Sequence, residues 1–502
     1  MLPIRMGRSA LCLSLGTVIA ALSVCTWAGS ARAQSGGGAA KAQTAPVAEV
    51  PAEQPDVPPL AQLQRGEEMF MRQWKAGDSH TPTGDGLGPM FNARSCAECH
   101  SLGGIGGAGK NENNVDLLSL LLPAHKEKID RNKFRLSMTQ LHPAFAEGTP
   151  FVRPSITLHK FGVNPEYSEW RHKFLATVAP NDADLPNVKA KRNHSSAFHS
   201  AGTIATQTTA VSQATGTPMP ISFRRTQRNT PALFGVGLID SIADEVIQQA
   251  AKEQAKQHTG VKGQVALSGS GGVGKFGWRG QTASLKEFVM GACANELGLQ
   301  VPGQEQPVDP LDPAHKSPGL DLTQEQCDDL TAFVGSLPRP TQRDPLSAMD
   351  AERLTTGEHL FNKTGCAVCH MERLGSVTGI FSDLLLHDMG PALADPVPAN
   401  SRVASVEHAT RSFSGGYNGG AGPSGADVFV DAPPETLREW RTPPLWGVAD
   451  SAPYLHDGRA ATLQEAILAH GGEATSARKS FAALPTLERG KILAFLDSLT
   501  AR

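Results

Sequence analysis

Apolar residues recur at helical spacing in two segments, one in the interior of the chain and one near its C-terminal end. They are Leu330, Phe333, Val334 and Leu337 in the first segment, and Ile492, Phe495, Leu496 and Leu499 in the second. The i, i+3, i+4, i+7 spacing places each set on one face of a helix. Because strand patterns are weak along the chain, the predicted fold class is mainly α.

Each of these two helices lies at the end of one copy of a diverged internal repeat. Residues 66–70 (GEEMF) match residues 357–361 (GEHLF). Residues 280–292 (GQTASLKEFVMGA) match residues 458–470 (GRAATLQEAILAH). The chain therefore contains two related units.

These units predict two domains, at residues 60–338 and 344–502, joined by a proline-containing linker. The first is longer because it holds an insertion at about 102–222, whose Ser/Thr/Asn-rich part near 192–217 is expected to be surface loop. The chain has 51 glycines and 36 prolines, which predicts long irregular loops.

The N-terminal residues 1–33 have the pattern of a signal peptide: arginines, then an apolar run at 11–24, then small residues suited to cleavage. The run is shorter than the ~20 residues that a membrane span needs. We therefore expect export to the periplasm and no membrane span in the mature chain. Residues 34–59, rich in Ala, Gly, Pro and Gln, predict a flexible leader.

The net charge limits the classes of partner that the protein can bind, and the composition limits the type of hydrophobic core that it can form. The formal net charge is -3 at pH 7, and a nucleic-acid partner would require a basic surface, so we exclude nucleic acid. Aromatic residues make up 6% of the chain, which is low for a core held by side-chain packing alone. A large apolar cofactor would help to fill such a core.

Two C-x-x-C-H motifs, at 96–100 and 366–370, occupy matching places in the repeat. In this motif two thiols bond the vinyl groups of a haem, and the histidine presents a ring nitrogen to the iron. The alternative, a zinc cage, usually spaces its C-x-x-C pairs about 15–20 residues apart, far less than here. The motifs predict two covalently bound haems c, held by Cys96, Cys99, His100, Cys366, Cys369 and His370.

Two more cysteines of the mature chain, Cys293 and Cys327, lie outside the haem motifs. In an exported protein such a pair forms either a disulfide or two buried free thiols. Both alternatives stay open at this point.

The repeat also predicts that the two haems differ in their sixth iron ligand. Its alignment puts His470 opposite Ala292, which has no atom that binds iron. We therefore expect His370 and His470 to ligate the second iron, and the first iron to be open or ligated from elsewhere. The candidates for the sixth ligand of the first iron are two methionines and six histidines of the insertion. By default these histidines are mostly surface or loop residues. The candidates are Met90, Met219, His125, His142, His159, His172, His194 and His199.

A helix over 284–296 would place Phe288, Ala292 and Glu296 on one face. Glu296 would then lie one turn beyond the missing ligand. A carboxylate there could move a proton between the two oxygens of bound peroxide. The alternative is that Glu296 is a solvated charge at the helix end.

Together these features resemble the bacterial dihaem cytochrome c peroxidase superfamily, which includes the dihaem enzyme that matures methylamine dehydrogenase. The closer similarity is to its dihaem oxidoreductase branch, also described as "putative peroxidase", and spans about residues 60–500. The segments that carry it are FNARSC (91–96), KFGWRGQ (275–281), LHDMG (386–390) and residues 442–460.

The resemblance implies different tasks for the two haems. In the superfamily the N-terminal haem is the peroxide site and the C-terminal haem supplies its electrons, with a tryptophan between them that corresponds to Trp278. His470 falls where relatives supply Met or Tyr as the sixth ligand. A calcium ion between the domains would correspond to Asn229, Ser451 and Pro453.

Two functions are consistent with these residues. One is a periplasmic, peroxidase-like dihaem oxidoreductase, with a periplasmic electron donor or acceptor protein as partner and a small peroxide or a protein as substrate. The other is a dihaem electron carrier with both irons six-coordinate. The Ala292/His470 difference and Glu296 favour the enzyme. Phe288, which stands where the peroxidases have a distal glutamine, favours the carrier.

Overall fold

The computed structural model describes residues 58–123, 131–146, 152–153, 155–178, 205–211, 218–268, 271–395, 401–403 and 438–501. The predicted signal peptide, nearly all of the leader and the histidines His125, His194 and His199 lie outside these residues. All described residues belong to one compact unit, Gln54–Arg502. The division into haem domains at 60–338 and 344–502 stays a prediction.

Helices make up most of the regular structure in the described residues. They are α1 (Leu60–Met71), α2 (Cys96–Cys99), α3 (Arg131–Leu141), α4 (Tyr167–Val178), α5 (Val236–Asp240), α6 (Asp244–Gln257), α7 (Leu285–Leu297), α8 (Gln324–Ser336), α9 (Ala348–Lys363), α10 (Leu463–Ala469), α11 (Thr475–Ala483) and α12 (Thr486–Asp497). In this part of the chain no helix is both long and apolar enough to cross a membrane.

The strands are short except for three. They are β1 (Met90–Phe91), β2 (Val115–Pro123), β3 (Ser155–Leu158), β4 (Phe161–Gly162), β5 (Ala205–Val211), β6 (Pro218–Arg228), β7 (Arg373–Leu374), β8 (Val377–Thr378), β9 (Leu386–Asp388), β10 (Ser401–Val403) and β11 (Glu439–Arg441). An antiparallel sheet has the order β10-β2-β6-β5, and β3 also pairs with β2. The mainly α prediction is thus confirmed only in part.

At 205–211 this sheet corrects the expectation of a loop at 192–217, because β5 lies there and pairs with β6 along its whole length. The other positions of that segment lie outside the described residues. The β5 residues, ATQTTAV, favour a strand through their threonines but lack an apolar alternation. One face of the sheet packs Leu118, Leu120 and Phe223 against aromatic residues of α3 and α4. The insertion therefore has a core of its own.

Two insertion histidines, which were expected at surface or loop positions, lie in loops but are buried. His142 and His159 are 1% and 3% exposed, whereas His172 is exposed. The His142 ring packs edge-on against Trp170 and Phe174, with centroids 5.5 and 5.6 Å away. Burial lowers the pKa of His142 to about 3, so the ring is neutral and packs as an aromatic group.

The first and last helices of each repeat cross at a glycine. α1 packs on α8 at Gly66, and α9 packs on α12 at Gly357. A Cβ atom would lie 2.2 Å from the Asp329 carbonyl oxygen at Gly66, and 2.1 Å from that of Lys491 at Gly357. The apolar residues that predicted α8 and α12 are buried, which confirms both helices.

Cys293 on α7 and Cys327 on α8 are free thiols, 2% and 0% exposed. The disulfide alternative is therefore wrong for this structure. Both thiols belong to the main hydrophobic core, where cysteine packs as a small apolar residue. Burial raises the pKa of Cys327 to about 11 and that of Cys293 well above its ordinary value, so neither is a thiolate.

Candidate functional site

The first C-x-x-C-H motif begins on a short capped helix. The Ser95 hydroxyl accepts a hydrogen bond from Glu98 N at 3.1 Å, which starts α2 at Cys96. The one-turn helix brings Cys96 and Cys99, three residues apart, to one side. His100 follows directly, and its Nδ1 lies 3.2 Å from the carbonyl oxygen of Gly107.

The second motif starts with an uncapped 3-10 turn instead, but its histidine has the same type of anchor. Cys366 begins a 3-10 turn, and Nδ1 of His370 lies 2.9 Å from the carbonyl oxygen of Phe381. The Phe361 ring lies 6.4 Å from His370, as the Phe70 ring lies 6.4 Å from His100. The two phenylalanines end the GEHLF and GEEMF segments, so the sequence repeat is also a structural repeat.

His470 lies directly after α10 and has the same type of anchor. Its Nδ1 is 2.7 Å from the carbonyl oxygen of Ala466. Because a carbonyl only accepts, Nδ1 carries the hydrogen in all three histidines, and Nε2 keeps its lone pair for a metal. Burial lowers the pKa of His100 and His370 to about 4 and lowers that of His470, so the rings are neutral.

A cavity of about 550 Å³ adjoins the second motif and is lined by Cys366, Cys369, His370 and His470. Two thiols and two neutral, pre-oriented imidazoles on one largely apolar cavity fit a covalently held haem. Among the residues that the structure describes, the four motif cysteines do not gather into one metal-ligand group. This excludes the zinc cage.

The two repeats differ where the sixth ligand was expected. α7 and α10 start with equivalent caps, Ser284 and Thr462. α10 ends at Ala469, immediately before His470, whereas α7 continues past Ala292 to Leu297. The predicted helix at 284–296 is confirmed to within one residue at each end.

Glu296 is a partly buried residue in the last turn of α7, not a solvated charge. Its carboxylate accepts hydrogen bonds from the side chains of Asn92 and Asn295. Burial raises the pKa of Glu296, while these two bonds and the charge of Lys160 act in the opposite direction. Burial and the charge of the Glu296 carboxylate raise the pKa of the Cys99 thiol to about 12. The Glu296 carbonyl oxygen accepts backbone hydrogen bonds from Asn92 and Ala93, so the end of α7 lies beside the segment that leads into the first haem motif.

Trp278 lines the cavity, and its Nε1 donates to the carbonyl oxygen of Asn229 at 2.8 Å. Its ring meets His456 edge-on at 6.5 Å, and His456 stacks on Trp440 at 3.6 Å. Sequence reasoning identified Trp278 but missed the other two rings. The position of His456 opposite Trp278 in the aligned repeat was the available signal.

A buried ion network lies beside these rings. Asp395 accepts from Arg228 at 2.8 Å and from Arg279 at 2.9 Å, and all three residues are under 5% exposed. Burial alone would raise the pKa of Asp395, but the two arginine charges hold it far below its usual range. Sequence reasoning missed this network.

His387 was also missed, although it belongs to the LHDMG segment. Its Nε2 lies 2.9 Å from Asp383 and its Nδ1 2.7 Å from Glu473. Burial would lower the pKa of His387, but its bonds to Asp383, Cys369 and Glu473 raise it well above its ordinary value. The Sγ atom of Cys369 is 3.8 Å away, so a charged imidazolium adjoins one haem-attachment cysteine.

The three residues assigned to calcium by resemblance, Asn229, Ser451 and Pro453, line the same cavity. Ser451 Oγ donates to the carbonyl oxygen of Gly447 at 2.7 Å, and Pro453 follows a cis peptide bond. Their carbonyl, amide and hydroxyl oxygens are of the type that calcium binds. The structure therefore brings the three residues to one cavity.

Comparison with known proteins gives a family match over part of the chain and distant similarities to solved structures. The family described as "Di-haem oxidoreductase, putative peroxidase" matches residues 418–499, which confirms the resemblance over that segment and supports an oxidoreductase of the dihaem class. A "MauG-like protein associated with microbial copper homeostasis" is 18% identical, with a TM-score of 0.27, over 52% of this chain and 90% of that one.

A second similar structure is hydrazine synthase from Kuenenia stuttgartiensis, which is 20% identical with a TM-score of 0.24. The match covers 38% of this chain and 59% of that one, so the chain spans under two thirds of this relative. No functionally curated protein matches the chain significantly.

Proposed function

We propose that this chain, whose residues 418–499 match the di-haem oxidoreductase family, is a periplasmic dihaem c-type oxidoreductase with peroxidase-like activity. One observation carries the proposal: the repeats differ where a sixth iron ligand would lie. His470 directly follows α10, and its Nδ1 is anchored so that its Nε2 can bind iron. α7 has Ala292 there and continues to a carboxylate. Such a pair suits one electron-transfer site and one site open to peroxide.

Each motif would hold one haem. Cys96 and Cys99 would form the thioether bonds of the N-terminal haem, and His100 would ligate its iron. The equivalent residues for the C-terminal haem are Cys366, Cys369 and His370, with His470 as the sixth ligand. When bound, the two haems supply electron transfer and peroxide reduction, with the C-terminal haem as the electron source for the N-terminal one.

Glu296 would transfer a proton between the two oxygens of peroxide. Backbone hydrogen bonds from Asn92 and Ala93 hold the end of α7 beside the first haem motif. Burial raises the pKa of Glu296 above the ordinary carboxyl value. A carboxyl group tuned in this direction can take a proton from one peroxide oxygen and return it to the other. Lys160, the cation beside it, limits the rise in pKa and so favours the charged form that accepts the proton.

Trp278 would be the aromatic residue through which electrons pass between the sites. Its indole N–H is bound to the Asn229 carbonyl oxygen, which holds the ring in one orientation against the cavity. Asn229 would also bind calcium together with Ser451 and Pro453, so the cation and the ring orientation would depend on the same residue.

The predicted signal peptide would export the chain to the periplasm, where it would meet its partners. These are a periplasmic electron donor or acceptor protein, and a small peroxide or a protein substrate. A dihaem electron carrier is the second candidate. One observation favours it: Phe288 stacks on Phe276 at 5.8 Å and presents no polar group where the peroxidases have a glutamine.

The test is an electron paramagnetic resonance spectrum of the oxidised holoprotein before and after peroxide is added. One high-spin and one low-spin haem, with the high-spin signal consumed by peroxide, is the result we expect. Two low-spin haems that ignore peroxide in both oxidised and half-reduced protein would contradict the enzyme and leave the electron carrier.

A further inference from the structure

Two asparagine side chains hold the carboxylate of Glu296. Asn92 Nδ2 donates to Oε2 at 2.8 Å, and Asn295 Nδ2 donates to Oε1 at 2.9 Å. The asparagines are 4% and 3% exposed, so water does not replace them readily. With one donor on each oxygen, the carboxylate cannot rotate about its terminal bond without losing both hydrogen bonds.

The insertion holds both asparagines in turn. Lys160 N donates to Asn92 Oδ1 at 3.1 Å, and His159 Nε2 lies 2.8 Å from the carbonyl oxygen of Asn295. Burial lowers the pKa of His159 to about 4, so the ring is neutral and its Nε2–H is the donor. His159 and Lys160 form the connection between β3 and β4, and β4 pairs with β1 directly before Asn92.

His159 is itself anchored to the body of the insertion. Its carbonyl oxygen accepts from Tyr167 Oη at 2.9 Å and from Arg171 Nε at 2.7 Å. Arg171 also pairs at 2.6 Å with Asp116, a buried residue of β2. A continuous set of hydrogen bonds therefore runs from the insertion sheet to the carboxylate of Glu296.

We infer that Asn92 and Asn295 are positioning residues for Glu296, and that the insertion is part of the N-terminal haem site because His159 and Lys160 hold those asparagines. This inference rests on the proposed function, in which Glu296 transfers a proton. The positioning fixes the direction of the carboxylate and favours its charged form, because hydrogen bonds to an ionised acceptor are the stronger ones.

Two other groups face the carboxylate. The Lys160 ammonium stabilises its charge, and that Nζ also donates to the carbonyl oxygen of Glu112. The Cys99 sulfur becomes an uncharged thioether once haem is attached. Burial raises the pKa of Glu296, and the hydrogen bonds from the asparagines lower it. Removing one asparagine donor should therefore raise the pKa of Glu296.

The test is an infrared difference titration of the holoprotein, with the carboxyl band of Glu296 identified by its loss in Glu296→Gln. Asn92→Ala and Asn295→Ala each remove one donor, and we expect each to raise the midpoint of the titration by about one pH unit or more. Asn362→Ala removes an exposed asparagine on α9 and is the matched control, with an unchanged midpoint.

A second pair of variants tests the insertion. His159→Phe keeps a ring but removes the donor to Asn295, whereas His159→Gln keeps an N–H at similar reach. We expect the midpoint to rise in His159→Phe and to return towards the wild-type value in His159→Gln. The haem content of each variant, measured by absorption, separates this effect from failure to fold.

The outcomes distinguish the inference from the function on which it rests. An unshifted midpoint in both asparagine variants would overturn the positioning role, whatever the peroxide activity. Equal midpoints in wild type and His159→Phe would overturn the part played by the insertion. A holoprotein that does not consume peroxide would contradict the proposed function, while shifted midpoints would still support the positioning role. With turnover present, the acid limb of its pH profile should move with the infrared midpoint.

Discussion

Trp278 and His456 occupy equivalent positions in the two copies of the repeat, each two residues before the glycine that begins GQTASL or GRAATL, and their rings meet edge to face at 6.5 Å. The glycines, Gly280 and Gly458, both have positive φ, of 65° and 71°. The repeat thus places one aromatic ring from each copy at a common contact beside the cavity.

Trp278→Phe should slow electron passage from the C-terminal to the N-terminal haem by roughly tenfold or more, which corresponds to ~1.4 kcal/mol of barrier. The reason is the loss of the indole and of its hydrogen bond to Asn229. Stopped-flow reduction of the two haems measures the rate. Trp170→Phe, in the insertion core, is the matched control, and equal rates in both variants would remove Trp278 from the path.

His470→Ala should convert the C-terminal haem to high spin and slow the reduction of the N-terminal haem. The substitution removes the imidazole that the aligned repeat places opposite Ala292, at the position proposed for the sixth ligand. Absorption and electron paramagnetic resonance spectra report the change. His359→Ala, at an exposed site on α9, serves as control. A His470→Ala spectrum identical to wild type would show that His470 is not a ligand.

Glu296→Gln should reduce peroxide turnover by ~10²-fold or more, because the amide keeps the shape of the side chain but cannot exchange a proton. Steady-state peroxide consumption measures the effect. Glu245→Gln, at an exposed position on α6, should leave turnover unchanged. A loss smaller than about threefold for Glu296→Gln would show that Glu296 does not transfer the catalytic proton.

Asp395→Asn should lower the free energy of unfolding by about 3–5 kcal/mol, because it removes the buried carboxylate charge to which both Arg228 and Arg279 donate. Denaturant unfolding measures the change. Asp328→Asn removes a half-exposed ion pair with Lys286 and should cost no more than about 1 kcal/mol.

The Asp395 network also predicts a pH dependence. The arginine charges depress the folded-state pKa of Asp395 below the ordinary value of about 3.9. The contribution of ionised Asp395 to the free energy of unfolding is therefore complete above the ordinary pKa. It is lost as the pH falls towards the folded-state pKa. The stability difference between wild type and Asp395→Asn should shrink on acidification, and a difference independent of pH below 4 would contradict this assignment.

Gly66→Ala and Gly357→Ala should each destabilise the fold by about 1–3 kcal/mol or more, since a Cβ at either site overlaps a backbone carbonyl of the crossing helix. Thermal unfolding measures the loss. Gly490→Ala, on α12 where no atom lies within 4 Å of the added Cβ, should instead stabilise by about 0.5–1 kcal/mol. Equal changes in the melting temperature for all three variants would contradict the close helix crossings at Gly66 and Gly357.

Features that depend on neighbouring residues could be predicted from the sequence. The haem motifs, the cap at Ser284 and the apolar spacing of α8 and α12 are each complete within about a dozen positions. The contact of Asn92 with Glu296 joins residues 204 positions apart, and that of Arg228 with Asp395 joins residues 167 apart. Such pairs have no local signal, so sequence reasoning could find Glu296 but not the residues that hold it.

The insertion was misjudged for another reason. The β2 sequence, VDLLSLLLP, is nearly continuous in apolar residues, and a buried helix has the same appearance. β6, which pairs with β2, and β5, which pairs with β6, are rich in polar and β-branched residues. Their pairing therefore becomes visible only when the strands are assembled.

The helix crossing at Gly66 has a consequence for how freely the first half of the chain can vary. α1 and α8 hold the two ends of everything between them, including the insertion, at one fixed point. A closed loop of chain changes its entropy slowly with length, by about 0.6 kcal/mol for each doubling. A flexible loop between the two helices can therefore change in length at little cost in the free energy of unfolding, as long as the crossing at Gly66 is kept.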